Sequence, residues 1–78
     1  MKIRITEHAK ERMLRYGISE EQIEEALDTP DSIAKGDKGR KIAQKRLNGY
    51  VLRIIYEEDL NGKVVITTYK ARSERYEI

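Results

Sequence analysis

The chain contains no cysteine, no tryptophan and no phenylalanine, and only one proline. Without cysteine there is neither a disulfide framework nor a thiolate metal site, so the fold must rest on packing alone. Without Trp or Phe, five tyrosines supply all of the aromatic bulk. No apolar run approaches the roughly 20 residues that span a bilayer. The start, Met1-Lys2-Ile3-Arg4-Ile5-Thr6, lacks the apolar stretch of a secretory signal. Cytoplasmic residence without a membrane partner is the resulting expectation. With a lone histidine, no metal and no cofactor are expected.

What remains is a short, highly charged chain: 78 residues, 38% apolar and 38% charged. That length makes one domain, residues 1–78, with a modest core. The net charge of +2 is unevenly placed. Residues 1–39 carry seven Lys/Arg against nine Asp/Glu, whereas residues 40–78 carry nine against five. A basic half attracts an anionic partner such as nucleic acid, and is equally what a solvated surface looks like.

Lys2 to Ile5 alternates polar and apolar, as a short half-buried strand does. Thr6 is placed to cap a first helix running to about Tyr16, with Ala9, Met13 and Tyr16 as its apolar stripe. Gly17 suits the left-handed residue that ends it. Ser19 and Gln22 fit a capping box for a second helix, and Ile18 and Ile23 occupy the positions of a hydrophobic staple. Ile23, Ala26 and Leu27 form its buried face, and Glu20, Glu21, Glu24 and Glu25 its wet one. Pro30 stops it, because proline disfavours a helical residue before it.

From Asp31 the period changes to two. Ser32 to Lys35 is a short strand candidate, followed by a glycine-rich loop at Gly36-Asp37-Lys38-Gly39. Lys41 to Leu47, Tyr50 to Glu57 and Lys63 to Ala71 read as strands, separated by Asn48-Gly49 and Asn61-Gly62. Asn-Gly is the strongest short hairpin signal, since a type I′ turn needs positive φ at both positions. The predicted class is α+β: a short N-terminal strand, a helical hairpin, then an antiparallel meander of three to four strands.

Register follows from the first turn. A two-residue Asn48-Gly49 loop pairs Leu47 with Tyr50, Lys45 with Leu52, Gln44 with Arg53 and Ala43 with Ile54. Paired residues share a face. Ala43, Leu47, Tyr50, Leu52, Ile54 and Tyr56 therefore face the helices, and Gln44, Arg46 and Arg53 face away. A second loop of two or four residues puts Thr68, Lys70 and Arg72 beside Arg53 and Tyr69 in the core, whereas three residues would invert this. On the even count, Arg46, Arg53, Lys70 and Arg72 share a surface with Ile42, Val51, Ile55 and Ile66. Such a surface binds a partner, joins copies in a small homo-oligomer, or is the wet face common in antiparallel sheets.

The segment His8-Ala9-Lys10-Glu11-Arg12-Met13, followed by Gly17-Ile18, an acidic helix and Thr29-Pro30-Asp31, resembles a small prokaryotic domain-of-unknown-function family. Its signature is His-Ala-x-x-Arg-Met near the N-terminus. The strand order also looks like that of RelE/ParE and BrnT-like toxins, which share the fold of several bacterial ribonucleases. The resemblance implies a toxin–antitoxin component, a metal-independent endoribonuclease acting on messenger RNA, ribosome-bound or free, with a cognate antitoxin as partner. In RelE-like enzymes basic and Tyr residues of the late strands and C-terminal tail surround the scissile phosphate. Arg53, Lys70, Arg72, Arg75 and Tyr76 are the residues of those types here.

Cleavage by 2′-hydroxyl attack needs a base, cations to stabilise the phosphorane and an acid for the leaving oxygen. His8 is the candidate acid or base, since imidazole exchanges protons near neutrality. Arg53 offers a planar donor set matching phosphate, and Tyr76 can donate a proton or stack on a base. Arg12 and Arg15 follow His8 at helical spacing, so all three lie on one stripe. With Arg46, Lys70, Arg72 and Arg75 they form the candidate RNA-binding set. The structural alternative stays open: a histidine in a first helical turn also serves as a hydrogen-bonding residue, and Arg12 as an ion-pair partner. The alternative function is a non-catalytic module that docks protein or nucleic acid.

Overall fold

The computed structural model describes residues 2–75. Strand β1 (Ile3–Ile5) leads directly into helix α1 (Glu7–Tyr16), and Thr6 makes the junction. The Thr6 hydroxyl accepts from the Ala9 N–H at 3.2 Å, filling one of the orphan donors of the first turn. Gly17 ends α1 at φ 67°, and its N–H returns to the Met13 carbonyl. Helix α2 (Glu20–Asp28) begins in the predicted capping box, with both Ser19–Gln22 hydrogen bonds made. Ile18 and Ile23, the staple pair, are both buried.

Four antiparallel strands follow: β2 (Ser32–Lys35), β3 (Lys41–Leu47), β4 (Tyr50–Asp59) and β5 (Gly62–Arg72). Strand β1 then joins the far edge of this meander in parallel with β5, giving the order β1-β5-β4-β3-β2. That parallel pairing makes the sheet mixed. No helix among the described residues is long and apolar enough to cross a membrane.

The core lies on one side of the sheet. Ala9 and Met13 of α1 and Ile23, Ala26 and Leu27 of α2 close over Ala43, Leu52, Ile54, Tyr56 and Val65. Burying each of the larger side chains stabilises the fold by about 1.5–3 kcal/mol. Helix α1 lies along β5, and α2 over β3 and β4. Tyr16, expected on the apolar stripe of α1, is instead 38% exposed. It sits in the last turn, beyond the reach of the core cluster, and it reappears at the candidate site.

The first hairpin has the predicted register, from Leu47 opposite Tyr50 through Gln44 opposite Arg53 to Ala43 opposite Ile54. The second departs from prediction twice. Its loop residues are Leu60 and Asn61, with Asp59 paired to Gly62, which leaves the two-residue parity intact. A register shift between Ile55 and Tyr56 then alters that parity, because Tyr56 pairs with Val65 while Ile55 pairs with Thr67. Ile66 is the extra residue of a β-bulge, and one extra residue turns every later side chain to the other face. Lys70 therefore pairs with Leu52 and Arg72 with Tyr50, on the helix side. Tyr69, assigned to the core by simple alternation, pairs with Arg53 on the opposite side.

The face away from the helices accordingly carries Ile42, Gln44, Arg46, Val51, Arg53, Ile55, Thr67, Tyr69 and Ala71. It keeps Arg46 and Arg53 and loses Lys70 and Arg72. Val51 is fully buried there, and Ile42, Ile55 and Ile66 are half-buried, so the apolar area left for a second copy is smaller than alternation suggests.

Candidate functional site at the α1–β5 seam

The site begins with Thr6. Besides capping α1, its hydroxyl lies 2.9 Å from the Val65 carbonyl and 3.1 Å from that of Ile66, and donates into that pair. Its backbone N–H also donates to the Val65 carbonyl at 3.2 Å. The start of α1 is thereby fixed to β5 at the bulge, which sets the phase of the helix against the residues that follow.

One consequence is that His8 meets Thr67. Its Nε2 lies 3.1 Å from the Thr67 Oγ1, and Arg12, one turn on, approaches the same nitrogen with Nε at 3.5 Å. Donation from Arg12 requires the lone pair on Nε2, so this arrangement suits the neutral tautomer with its proton on Nδ1. Arg12 is also 3.6 Å from the Glu11 carboxylate and is 32% exposed. A groove of about 210 Å³ continues from this point, lined by Arg12, Tyr16, Thr67, Thr68 and Tyr69.

Tyr69 connects the groove to the centre of the far face. Arg53 Nη1 donates to the Tyr69 hydroxyl oxygen at 2.7 Å, and its guanidinium carbon stands 5.7 Å from the ring centroid. The pair combines a hydrogen bond with a cation–π contact. Beneath it, the Thr68 hydroxyl donates to the Arg53 carbonyl at 2.8 Å, and Gln44, opposite Arg53 on β3, donates to Ser32 at 3.0 Å. His8, Arg12, Thr67, Tyr69 and Arg53 thus form one strip across the α1–β5 seam.

The other candidates fall elsewhere. Arg15 turns away and donates to Glu11 at 2.7 Å, an i, i+4 pair on the exposed side of α1. Arg46 is on the same face as Arg53, two pairs further along β3, with its backbone N–H bound to Asp31 at 2.6 Å. Lys70 is on the helix side, and exposed Arg72 lies 3.8 Å from Glu74. The Arg75 side chain and Tyr76 lie outside the described residues. Among the described residues no group of three His, Cys, Asp or Glu is arranged to hold a metal.

Thr67 and the role of Tyr69 escape a reading based on alternation. The available signal is the unbroken apolar triplet Val64-Val65-Ile66, which a regular half-buried strand does not accommodate and a bulge does.

Residues 5–70 match the family model of a domain of unknown function, DUF4258. The chain belongs to the DUF4258 family. No curated protein and no solved structure matches it. The matched span of this DUF4258 chain runs from the end of β1 into β5. It encloses the whole strip from His8 to Tyr69 and stops before Arg72, Arg75 and Tyr76.

Proposed function

We propose that this DUF4258 domain is a RelE-like toxin component, or a domain derived from one, that binds RNA at the α1–β5 seam and cleaves it without a metal. The observation that carries the reading is the junction of His8, Thr67 and Arg12 with the Arg53–Tyr69 pair. A base candidate, two guanidinium groups and a phenol on one strip match the requirements of 2′-hydroxyl attack.

In this reading His8 Nε2 takes the proton of the attacking 2′-hydroxyl, and Thr67 holds the ring in position. The 2′-oxygen bonds to phosphorus and the bond to the 5′-oxygen breaks, leaving a 2′,3′-cyclic phosphate. Arg12 and Arg53 offset the charge that accumulates on the phosphorane oxygens, where fixed donors are most effective. The Tyr69 O–H, with Arg53 donating to its oxygen, supplies the proton to the leaving 5′-oxygen. Arg46 extends the cationic track. By the resemblance to RelE and BrnT-like toxins, the proposed substrate is a messenger RNA and the proposed partner a cognate antitoxin.

A second reading, a non-catalytic RNA-binding or protein-binding module, is favoured by one detail: Thr67 and Arg12 already engage His8 Nε2, as they would around a structural histidine. Incubating RNA with wild type, His8→Ala, Arg53→Ala and Tyr69→Phe separates the two. The enzyme reading expects cleavage by wild type and a loss of about 100-fold or more in His8→Ala. Equal background in all four, with binding retained, leaves the non-catalytic module.

A further inference from the structure

We infer that the groove between α1 and the second half of β5 is a slot for one unpaired base of single-stranded RNA, stacked between Tyr16 and Tyr69. The inference rests on the RNA-binding reading and adds to it the form of nucleic acid and the position of a base.

Two features lead to it. Tyr16 is 38% exposed at the last turn of α1, outside the core cluster, although it occupies the apolar phase of that helix. Tyr69 is carried to the same groove by the β-bulge in β5. Arg53 then fixes the Tyr69 ring through its hydroxyl, so the platform is rigid before anything binds. The groove, about 210 Å³, is lined by both tyrosines together with Arg12 and Thr67. Thr67 lines the same groove, and its hydroxyl, 3.1 Å from His8 Nε2, is the polar group nearest a base edge there.

The charge points to the same occupant. Arg12 lines the groove, with His8 behind it and Arg53 beyond Tyr69, so a strand whose base enters the slot lays its phosphates along cations. Aromatic faces accept any base, because every base has a π-face. A duplex keeps its bases stacked inside, and the A-form major groove is too narrow for side chains to enter. The slot therefore selects unpaired nucleotides.

The test uses a short, fluorescently labelled 2′-O-methyl RNA, which lacks the attacking hydroxyl and is not cleaved, as a single strand and as a duplex. Binding to wild type, Tyr16→Ala and Tyr16→Phe is followed by anisotropy at two salt concentrations. The slot predicts at least about tenfold preference for the single strand, a loss of about tenfold in Tyr16→Ala, and recovery in Tyr16→Phe. Tyr16→Ala binding the single strand as tightly as wild type overturns the slot, as does equal affinity for strand and duplex. Either result leaves the RNA reading standing. Absence of salt-dependent binding to both forms overturns that reading and the slot together.

Discussion

Asp31 has one side-chain bond that organises a whole connection. Its carboxylate accepts from the Arg46 backbone N–H at 2.6 Å, while its own N–H donates to the Gln44 carbonyl at 2.8 Å. Lys45, between those two residues, donates to the Thr29 carbonyl at 2.8 Å. The Thr29-Pro30-Asp31 stop is therefore also a splice that sews the exit of α2 onto β3, close to the base of Arg46. A hydrogen bond to a charged acceptor contributes about 1.5–3 kcal/mol. Asp31→Ala is expected to lower stability by about 1–2 kcal/mol in urea unfolding followed by circular dichroism, with Asp31→Asn closer to wild type. An unchanged midpoint for Asp31→Ala would show the bond to be dispensable. Tyr69 presents the contrasting case at this scale. Nothing local in Thr68-Tyr69-Lys70 tells which face the ring takes, since that is decided at Ile66 by the pairing with β4.

At the scale of elements, legibility follows the range of the interaction that decides each feature. The capping box at Ser19 and Gln22 and the Asn48-Gly49 hairpin are decided within four residues, and both form as predicted. The bulge is decided by the pairing of β5 with β4, for which the run Val64-Val65-Ile66 is the one local sign, and the parallel seat of β1 depends on residues about sixty positions apart, which no local pattern reports. The β1 seat has one glycine at its contact point. Gly62 adopts φ 138°, and an added Cβ would stand 2.1 Å from the Lys2 carbonyl oxygen, itself the acceptor for the Lys63 N–H at 2.9 Å. Neither that backbone conformation nor that contact admits a side chain. Gly62→Ala is expected to cost about 2–3 kcal/mol and to loosen β1 selectively. Hydrogen exchange would detect this as faster exchange at Lys63 and Thr6 with Leu52 and Ile54 still protected. Uniform protection matching wild type would refute the claim that the edge needs glycine here. Because Thr6 carries the phase of α1, the same substitution is also expected to move His8 off Thr67.

For the molecule as a whole, one carboxylate links both layers. Glu58 on β4 lies 3.0 Å from Lys41 on β3 and 3.8 Å from Lys63 on β5. Lys63 in turn donates to the Leu27 carbonyl at the end of α2, 3.3 Å away, and stands 5.3 Å from the Tyr56 ring centroid. The hydrogen bond from Lys41 holds the Glu58 carboxyl below its ordinary 4.5 against the opposing effect of burial, with lesser help from the charges of Lys41 and Lys63. The same bond raises Lys41 above its ordinary 10.5. A lowered carboxyl contributes stability above its unfolded value that disappears as pH falls through its folded one, whereas a raised lysine contributes below its unfolded value and loses it in alkali. The linkage is thus complete between pH 4.5 and 10.5 and fails on both sides. Burial also raises the Tyr56 phenol, so the alkaline side mixes two groups and the acid side is the cleaner reading. Urea midpoints of wild type and Glu58→Gln, measured from pH 7 down to pH 2.5, are expected to differ by a constant amount near neutrality and to converge as pH falls below the ordinary carboxyl value of 4.5 and through the lowered one. Curves that remain parallel into acid would place the acid sensitivity of the fold elsewhere. Convergence would show that Glu58 ties the neighbouring strands electrostatically, through Lys41 on β3 and Lys63 on β5. The proposed RNA binding should then keep its salt dependence in Glu58→Gln while stability loses its acid limb.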